Sequence, residues 1–483
     1  MSAATKRTKT VVAVLVALGT FAASLVAQSA PDRTRPPMVG PPPRLNLPDI
    51  QRRMLSNGLA VWLVESHEVP LVQVNLLVKA GAGDDPAGKF GLASLTAAML
   101  DEGAGSRNAL ELADAVDFLG ASLATTASFD ASAVRLNVPV ARIKEALPLM
   151  ADVILRPTFP GAELERLRQE RLTALLQAKD DPASVAPMAF ARTVFGATHR
   201  YGTGVAGTET TLKAFTVPDL KTFHASKYQP GNSVLIVVGD VKLDAIVPQL
   251  EMQFGSWKGT SPTRVPVPQA PQVAQGQITI VDMPGAEQSQ IRMGWVGVSR
   301  STPDYFTLEV LNTILGGSFT SRLNQNLREA HGFAYGASSV FDMRRSAGPF
   351  YAAAGVQTDK TAAALTEFFK ELEGIRKPIP SEEVERAKNY VALLMPRSFE
   401  TTGSMAGSLA TAFVYNLPPD YFATFTQRVR AVTPAEVNAA AQRYIQPDKF
   451  AVVVVGDRKV IEPGIKALNL GPIRIVETSE VMK

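Results

Sequence analysis

Two stretches far apart in the chain carry the same succession of marks, and that repetition limits the possible folds more than composition does. Residues 217–240 read VPDLKTFHASKYQPGNSVLIVVGD, and residues 433–457 read TPAEVNAAAQRYIQPDKFAVVVVGD. Each sets a proline at the opening of an amphipathic helix, at position N1, where its missing N–H is no loss. A tyrosine, then Gln-Pro, then an apolar strand closed by Val-Gly-Asp follow in both. Pro218 matches Pro434, Tyr228 matches Tyr444, and Gly239-Asp240 match Gly456-Asp457, with one residue inserted after the second tyrosine. The chain therefore reads as a tandem duplication of units of roughly 200 residues. A proline-rich stretch, SPTRVPVPQAPQVAQG from Ser261 to Gly276, marks the join.

With 483 residues the chain is too long for one ordinary core. The boundaries that follow are a half over 48–258, a linker over 259–276 and a second half over 277–483. Ahead of them Lys6, Arg7 and Lys9 precede an apolar run from Val11 to Ala27. That order of charge, apolar run and small residues predicts a secretory signal peptide over 1–29, with a retained signal anchor as the alternative. The run is short for a membrane span, so cleavage with no stable membrane insertion is expected. Residues 30–47 form a proline-rich tether. Removing the first 29 residues leaves 46 basic against 45 acidic side chains, which gives no electrostatic reason for a nucleic-acid partner. Cysteine is absent, which excludes disulfides, thiolate zinc sites and cysteine nucleophiles. A bacterial periplasm is the expected location.

LAVWLVES and VPLVQVNLLVKAG read as neighbouring strands. Helices follow from Gly91 and from Asn108, the latter ending on Gly120. ASLATTASFDASAVRLNVPV reads as a strand pair and RIKEALPLMADVIL as the next helix. Strands and helices in this irregular order predict an α+β fold of two homologous halves, each a mostly antiparallel sheet covered by helices.

Reactive constellations are scarce. The four histidines, His67, His199, His224 and His331, are too far apart in sequence for a helix-borne zinc pair and read as surface or boundary residues. No nucleophile elbow or Walker loop occurs. GGSFTSR at 316–322 lacks the lysine of a phosphate loop and reads as a flexible turn into a helix. The most unusual segment is SFTSRLNQNLREAHGFAYGASSVF, Ser318 to Phe341. Its pattern predicts a helix from about Ser321 with Leu323 and Leu327 inward, a stop at Gly332, and a strand presenting Phe333 and Tyr335 on one face. Read from spacing alone, Arg328 is solvated and Tyr335 half-buried.

Here the chain resembles the pitrilysin (insulinase, mitochondrial processing peptidase) family of zinc peptidases, and among them the short bacterial members that work as paired chains. The resemblance covers essentially residues 48 to 480 and implies two halves forming a clamshell. SRLNQNLREAHGFAYG resembles the second-half signature, in which an arginine and a tyrosine hold substrate and stabilise the oxyanion of the attacked carbonyl. It implies those roles for Arg328 and Tyr335. The first-half signature is His-x-x-Glu-His on a helix after Gly-Leu-Ala. Here Gly91-Leu92-Ala93 is followed by Ser94, Leu95, Thr96, Ala97 and Ala98. Ser94 and Ala98 stand where the histidines would be, and Ala97 replaces the general base. The third ligand, a glutamate, aligns with Ala174, with Glu170 close by. The resemblance thus implies no metal or other cofactor in this chain, with zinc expected in a homologous zinc-binding partner as a heterodimer or a dimer of heterodimers. It implies unfolded peptide substrates, added as a strand along Ser122, Leu123, Ala124, Thr125 and Thr126. The leading expectation is a non-catalytic subunit of an exported two-chain zinc peptidase. The alternative is a peptide-binding or scaffold protein of the same fold with no part in catalysis.

Overall fold

The computed structural model describes residues 47–263 and 266–482; the signal and tether segments expected over 1–46 lie outside the described residues. Two six-stranded sheets form the frame. The first contains β1 (Gln51–Met54), β2 (Ala60–Glu65), β3 (Leu71–Val78), β4 (Ser122–Ala127), β5 (Ser132–Pro139) and β6 (Ser233–Gly239), in the order β1-β2-β6-β3-β5-β4. The second contains β7 (Gln277–Asp282), β8 (Gln288–Val296), β9 (Ala334–Phe341), β10 (Pro349–Gln357), β11 (Ala451–Gly456) and β12 (Ile473–Glu477), in the order β9-β10-β8-β11-β7-β12. Five strands of each correspond one to one. β2 pairs in parallel with β6 as β7 does with β11, and antiparallel partners follow in the same succession. The sixth strands come from opposite ends of the chain: β1 is antiparallel to β2, and β12 parallel to β7.

The repeated Val-Gly-Asp has a local cause. Gly239 has φ +147°, and a Cβ there would lie 2.2 Å from the Leu71 carbonyl oxygen; one on Gly456 would lie 2.5 Å from Ser289 Oγ. At Gly239 the neighbouring backbone leaves no room for a side chain, and at Gly456 the Ser289 side chain occupies the space. Asp240 then accepts from His67 Nδ1 at 2.6 Å, and Asp457 caps the next helix by accepting from Lys459 N at 3.0 Å.

The stretches holding β2 and β3 do not form neighbouring strands, as their sequence suggests; β6 lies between them. SVLIVVG is buried along its whole length, and a strand apolar on both faces belongs in the middle of a sheet covered on both sides. The covering on one side comes from each half's own helices. In the first these include α1 (Leu92–Ala98), α2 (Ala109–Phe118), α3 (Ile143–Leu155) and α4 (Gly161–Ala178). The other side is covered by a helix from the opposite half. Helix α5 (Pro182–Phe195) carries Val185, Ala186, Ala189 and Phe190 into a core with Ile280, Met293 and Val453 of the second sheet. Among the later helices, α6 (Val217–Lys227), α7 (Tyr305–Asn312), α8 (Thr361–Gly374), α9 (Ser381–Leu394) and α10 (Thr402–Val414), it is α10 that returns the exchange. Its Met405, Ala406, Leu409 and Ala412 pack with Val64, Val234, Ile236 and Val238 of the first sheet. Both begin on a side-chain cap, Asp181 to Ala183 N and Ser184 N, and Thr401 to Ser404 N. Their alanines let helix and sheet approach closely. The expected α+β clamshell of two homologous halves is observed, and the halves clasp one another through these exchanged helices.

A polar network adds to the clasp. Asp130, in the turn between β4 and β5, is buried and accepts from Arg345 N at 3.0 Å, Arg345 Nε at 3.1 Å and Tyr415 Oη at 3.0 Å. Arg345 Nη2 reaches Asp84 at 2.8 Å.

Candidate functional site

Two groups of residues are singled out by the sequence, one in each half. In the first half, Gly91 stands in the left-handed region and α1 starts behind it. The buried Asp85 carboxylate accepts from Gly91 N at 2.7 Å and Ala93 N at 2.8 Å, and so satisfies N–H groups that the helix start leaves open. Arg200 holds Asp85 in place at 3.0 Å. Leu95 and Ala97 point into the core, while Ser94 and Ala98, one turn apart, are half-buried on the flank.

That flank faces α4. Arg171 on α4 donates from Nη1 to Ser94 Oγ at 3.3 Å and from Nη2 to the Ser94 carbonyl at 3.0 Å. Burial lowers the proton affinity of this guanidinium. Ala174, one turn further on, is exposed, and Glu170 turns outward with a 67% exposed side chain, 3.4 Å from Arg166. The residues present do not fit zinc: one hydroxyl, three methyl groups and a fixed cation cannot ligate a divalent ion. No cluster of three or more His, Asp or Glu side chains suited to a metal occurs among the described residues.

Just past α1, Thr125 Oγ1 on β4 donates to Asp101 at 3.2 Å, and burial pushes the Asp101 carboxyl up to about 6. β4 closes one end of its sheet, paired to β5 on one side only. Ser122, Ala124 and Thr126 are exposed while Leu123, Thr125 and Ala127 are half-buried. The predicted strand is thus an open, regular sheet edge.

In the second half, helical residues Arg322–Asn324 run into a widened turn over Gln325–Ala330, with Leu323 and Leu327 in the core. Such π-type turns are enriched at functional sites. Gly332, at φ +62°, ends the segment. Phe333 and Tyr335 do not share a face, contrary to the alternation. The pairing of β9 with β10 shifts between Ala334 and Ala337, so that an extra residue bulges out. Phe333 packs against the core and stacks on His331 at 4.9 Å, while Tyr335 is thrown outward and 93% exposed rather than half-buried. Asn324 Oδ1 secures the end of the bulge by accepting from Ala337 N at 2.9 Å.

Arg328 and Tyr335 are brought together: the guanidinium carbon lies 5.5 Å from the tyrosine ring centre. It lies nearer still, 4.3 Å, to the ring of Phe319, which is 63% exposed. Phe319 and Arg171 are the residues that sequence reasoning missed. Phe319 carried a faint signal as a large apolar residue in a glycine-rich turn; Arg171 carried none. Among the described residues, no hydrogen bond or ion pair joins the Arg328 group to α1 or β4. The four histidines stay apart. His67 lies between Glu65 and Asp240, His199 and His224 bond the carbonyls of Pro268 and Ile154, and His331 is beside Glu367.

Comparison with known proteins agrees with this frame. Residues 60–208 match the model described as insulinase (peptidase family M16), and residues 214–391 the model described as peptidase M16 inactive domain. An uncharacterised zinc protease of Mycobacterium bovis is 26% identical over 415 residues, which cover 84% of this chain and 93% of that protein. An uncharacterised zinc protease of Bacillus subtilis is 25% identical over 369 residues, 74% of this chain and 86% of its own. Among solved structures, a peptidase M16 inactive domain from Pseudomonas fluorescens aligns with TM-score 0.78 at 26% identity, covering 84% of this chain and 98% of that one. A protease from Helicobacter pylori shares the fold at TM-score 0.78 and 22% identity, covering 85% of this chain and all of its own.

Proposed function

The chain belongs to peptidase family M16, and we propose that within it this protein is a zinc-less subunit whose partner chain supplies the metal site. The observation that carries the reading is an asymmetry. The helix that would bear zinc ligands is reduced to Ser94, Ala97 and Ala98 beside Arg171, whereas Arg328 and Tyr335 are presented together at the surface. An exposed phenol beside a half-buried guanidinium that reaches the surface suits a site completed by another molecule.

In the proposed heterodimer, zinc on the partner would activate the attacking water. This chain's guanidinium and phenol would donate hydrogen bonds to the carbonyl oxygen as it gains charge. The open edge of β4 supports the placement of an extended peptide by strand addition, with backbone N–H and C=O groups available for a ladder. Export to a bacterial periplasm is part of the proposal and follows from the basic and apolar order of residues 6–27.

The test is co-expression with a homologous chain that retains His-x-x-Glu-His. Peptide cleavage is expected from the pair and not from this chain alone, which should purify without zinc. Changing Tyr335 to Phe should lower turnover of the pair by about 10²-fold, the scale for losing one oxyanion donor. Full turnover in that variant, or one equivalent of zinc in the purified single chain, would refute the assignment. The first result would favour a peptide-holding scaffold.

A further inference from the structure

The emptied helix has acquired something in place of its ligands. A guanidinium has five N–H donors, and the two bonds from Arg171 to Ser94 leave three of them over. Among the described residues no carboxylate forms an ion pair with Arg171: Glu170, its chain neighbour, is turned to Arg166. Ser94 Oγ accepts from Arg171 and keeps its own hydrogen, which goes to no partner among the described residues. Both side chains are half-buried, so they are partly stripped of water yet open to a ligand. A charged group held in that state with no carboxylate in contact is costly, and an incoming anion relieves the cost.

The position narrows the kind of anion. Ser94 lies on α1, whose C-terminal extension meets β4 through the Thr125 to Asp101 hydrogen bond. An extended peptide added to that edge would run beside the helix that carries the site. A planar guanidinium fork with a neighbouring hydroxyl matches the two oxygens of a carboxylate.

We infer that Arg171 and Ser94 form a receptor for a peptide carboxylate, so that the vacated metal position anchors one end, or one acidic side chain, of a peptide lying along β4. The inference rests on the proposed strand addition at that edge. It gives the emptied helix a binding role in which a permanent cation holds charge where the family's metal would have held it.

The experiment is fluorescence anisotropy with the full chain and three labelled peptides rich in Val and Thr: one ending in a free carboxylate, the same peptide amidated, and an amidated peptide with one internal Glu. The free acid or the Glu peptide should bind about tenfold tighter than the plain amide, the scale of one charge-assisted bond. Whichever does so identifies the source of the carboxylate. Arg171→Leu should abolish the difference, and Arg171→Lys should retain part of it. Equal binding of all three peptides overturns the carboxylate receptor and leaves strand addition standing. No binding of any peptide overturns both. A difference that survives in a folded Arg171→Leu chain, judged by its circular dichroism, overturns the assignment to Arg171.

Discussion

Asp130 sits where the two halves are tied together, and its removal tests whether the exchanged architecture behaves as one unit. Its carboxylate accepts three hydrogen bonds from the second half, two from Arg345 and one from Tyr415, while its own side chain is 5% exposed. Burial and the Asp130 charge push the Tyr415 phenol up, so it remains a donor throughout the neutral range. Asp130→Ala leaves the Arg345 amide and the Tyr415 hydroxyl without this acceptor. Arg345 itself keeps Asp84 at 2.8 Å, so the loss falls at the lower end of the range for a broken buried pair, about 3 kcal/mol. Tyr415→Phe removes one bond and should cost about 1 kcal/mol. Because both changes break the same contact, the double variant should cost about the same as Asp130→Ala alone.

The assay is urea unfolding followed by circular dichroism and by tryptophan fluorescence, since Trp62 reports on the first sheet and Trp295 on the second. The two signals should change together, because each sheet is covered on one side by the other half's helix. A loss below about 1 kcal/mol, or costs that simply add, would show that the network does not clasp the halves.

Two further outcomes follow from the packing and charge. Leu409 on α10 is fully buried against the first sheet, so Leu409→Ala should destabilise by about 2–5 kcal/mol; a cost near zero in chemical denaturation would mean that the exchanged helix does not complete that core. Asp101 has a folded pKa of about 6 against an ordinary 3.8, so the folded state holds its proton more tightly and this penalty grows as pH rises from about 4 to 6. Asp101→Asn should therefore stabilise the chain by up to about 3 kcal/mol above pH 6 and by little below pH 4, and an equal effect at both pH values in thermal unfolding would refute the sign.

What could be read from the sequence followed its local physics. The repeated helix-Tyr-Gln-Pro-strand pattern survives as α6 leading into β6 and its counterpart leading into β11, because proline starts, apolar runs and close-approach glycines act locally. Pro434 opens its helix at N1, whereas Thr216 caps the other, which places Pro218 one residue further in. The strand Ser122–Ala127 was legible as one of a pair, whereas its place at an edge came only from the family resemblance. The insertion of β6 between β2 and β3 was not legible, since strand order depends on which strand needs burial on both faces. Nor was the exchange of α5 and α10, whose alanine-rich faces look the same whichever sheet they cover. Arg171 lies in a charged run, RLRQERLTALLQ, that reads as a solvated face; only the rotation of α4 against α1 singles it out. The bulge that re-aims Tyr335 is equally invisible, because period-two alternation assumes an unbroken ladder.

The duplication also argues for how the two halves would divide the work. β4 and β9 are equivalent edges, each closing its sheet and each preceded in the chain by a helical segment, α2 for β4 and Arg322–Ala330 for β9. β4 pairs with β5 without interruption from Ser122 to Ala127, so its outer row of backbone groups is evenly spaced. β9 breaks register between Ala334 and Ala337, and a break in the ladder disrupts the spacing that a further strand would need. The same break sends Tyr335 outward to lie near Arg328. One edge is therefore regular and open, and the other projects a side chain. Under the proposed function, peptide holding belongs to the first half and oxyanion donation to the second. A variant that straightens β9 by deleting Gly336 should abolish turnover of the pair while leaving peptide binding at β4 unchanged. Loss of both together would mean that the two edges do not act separately.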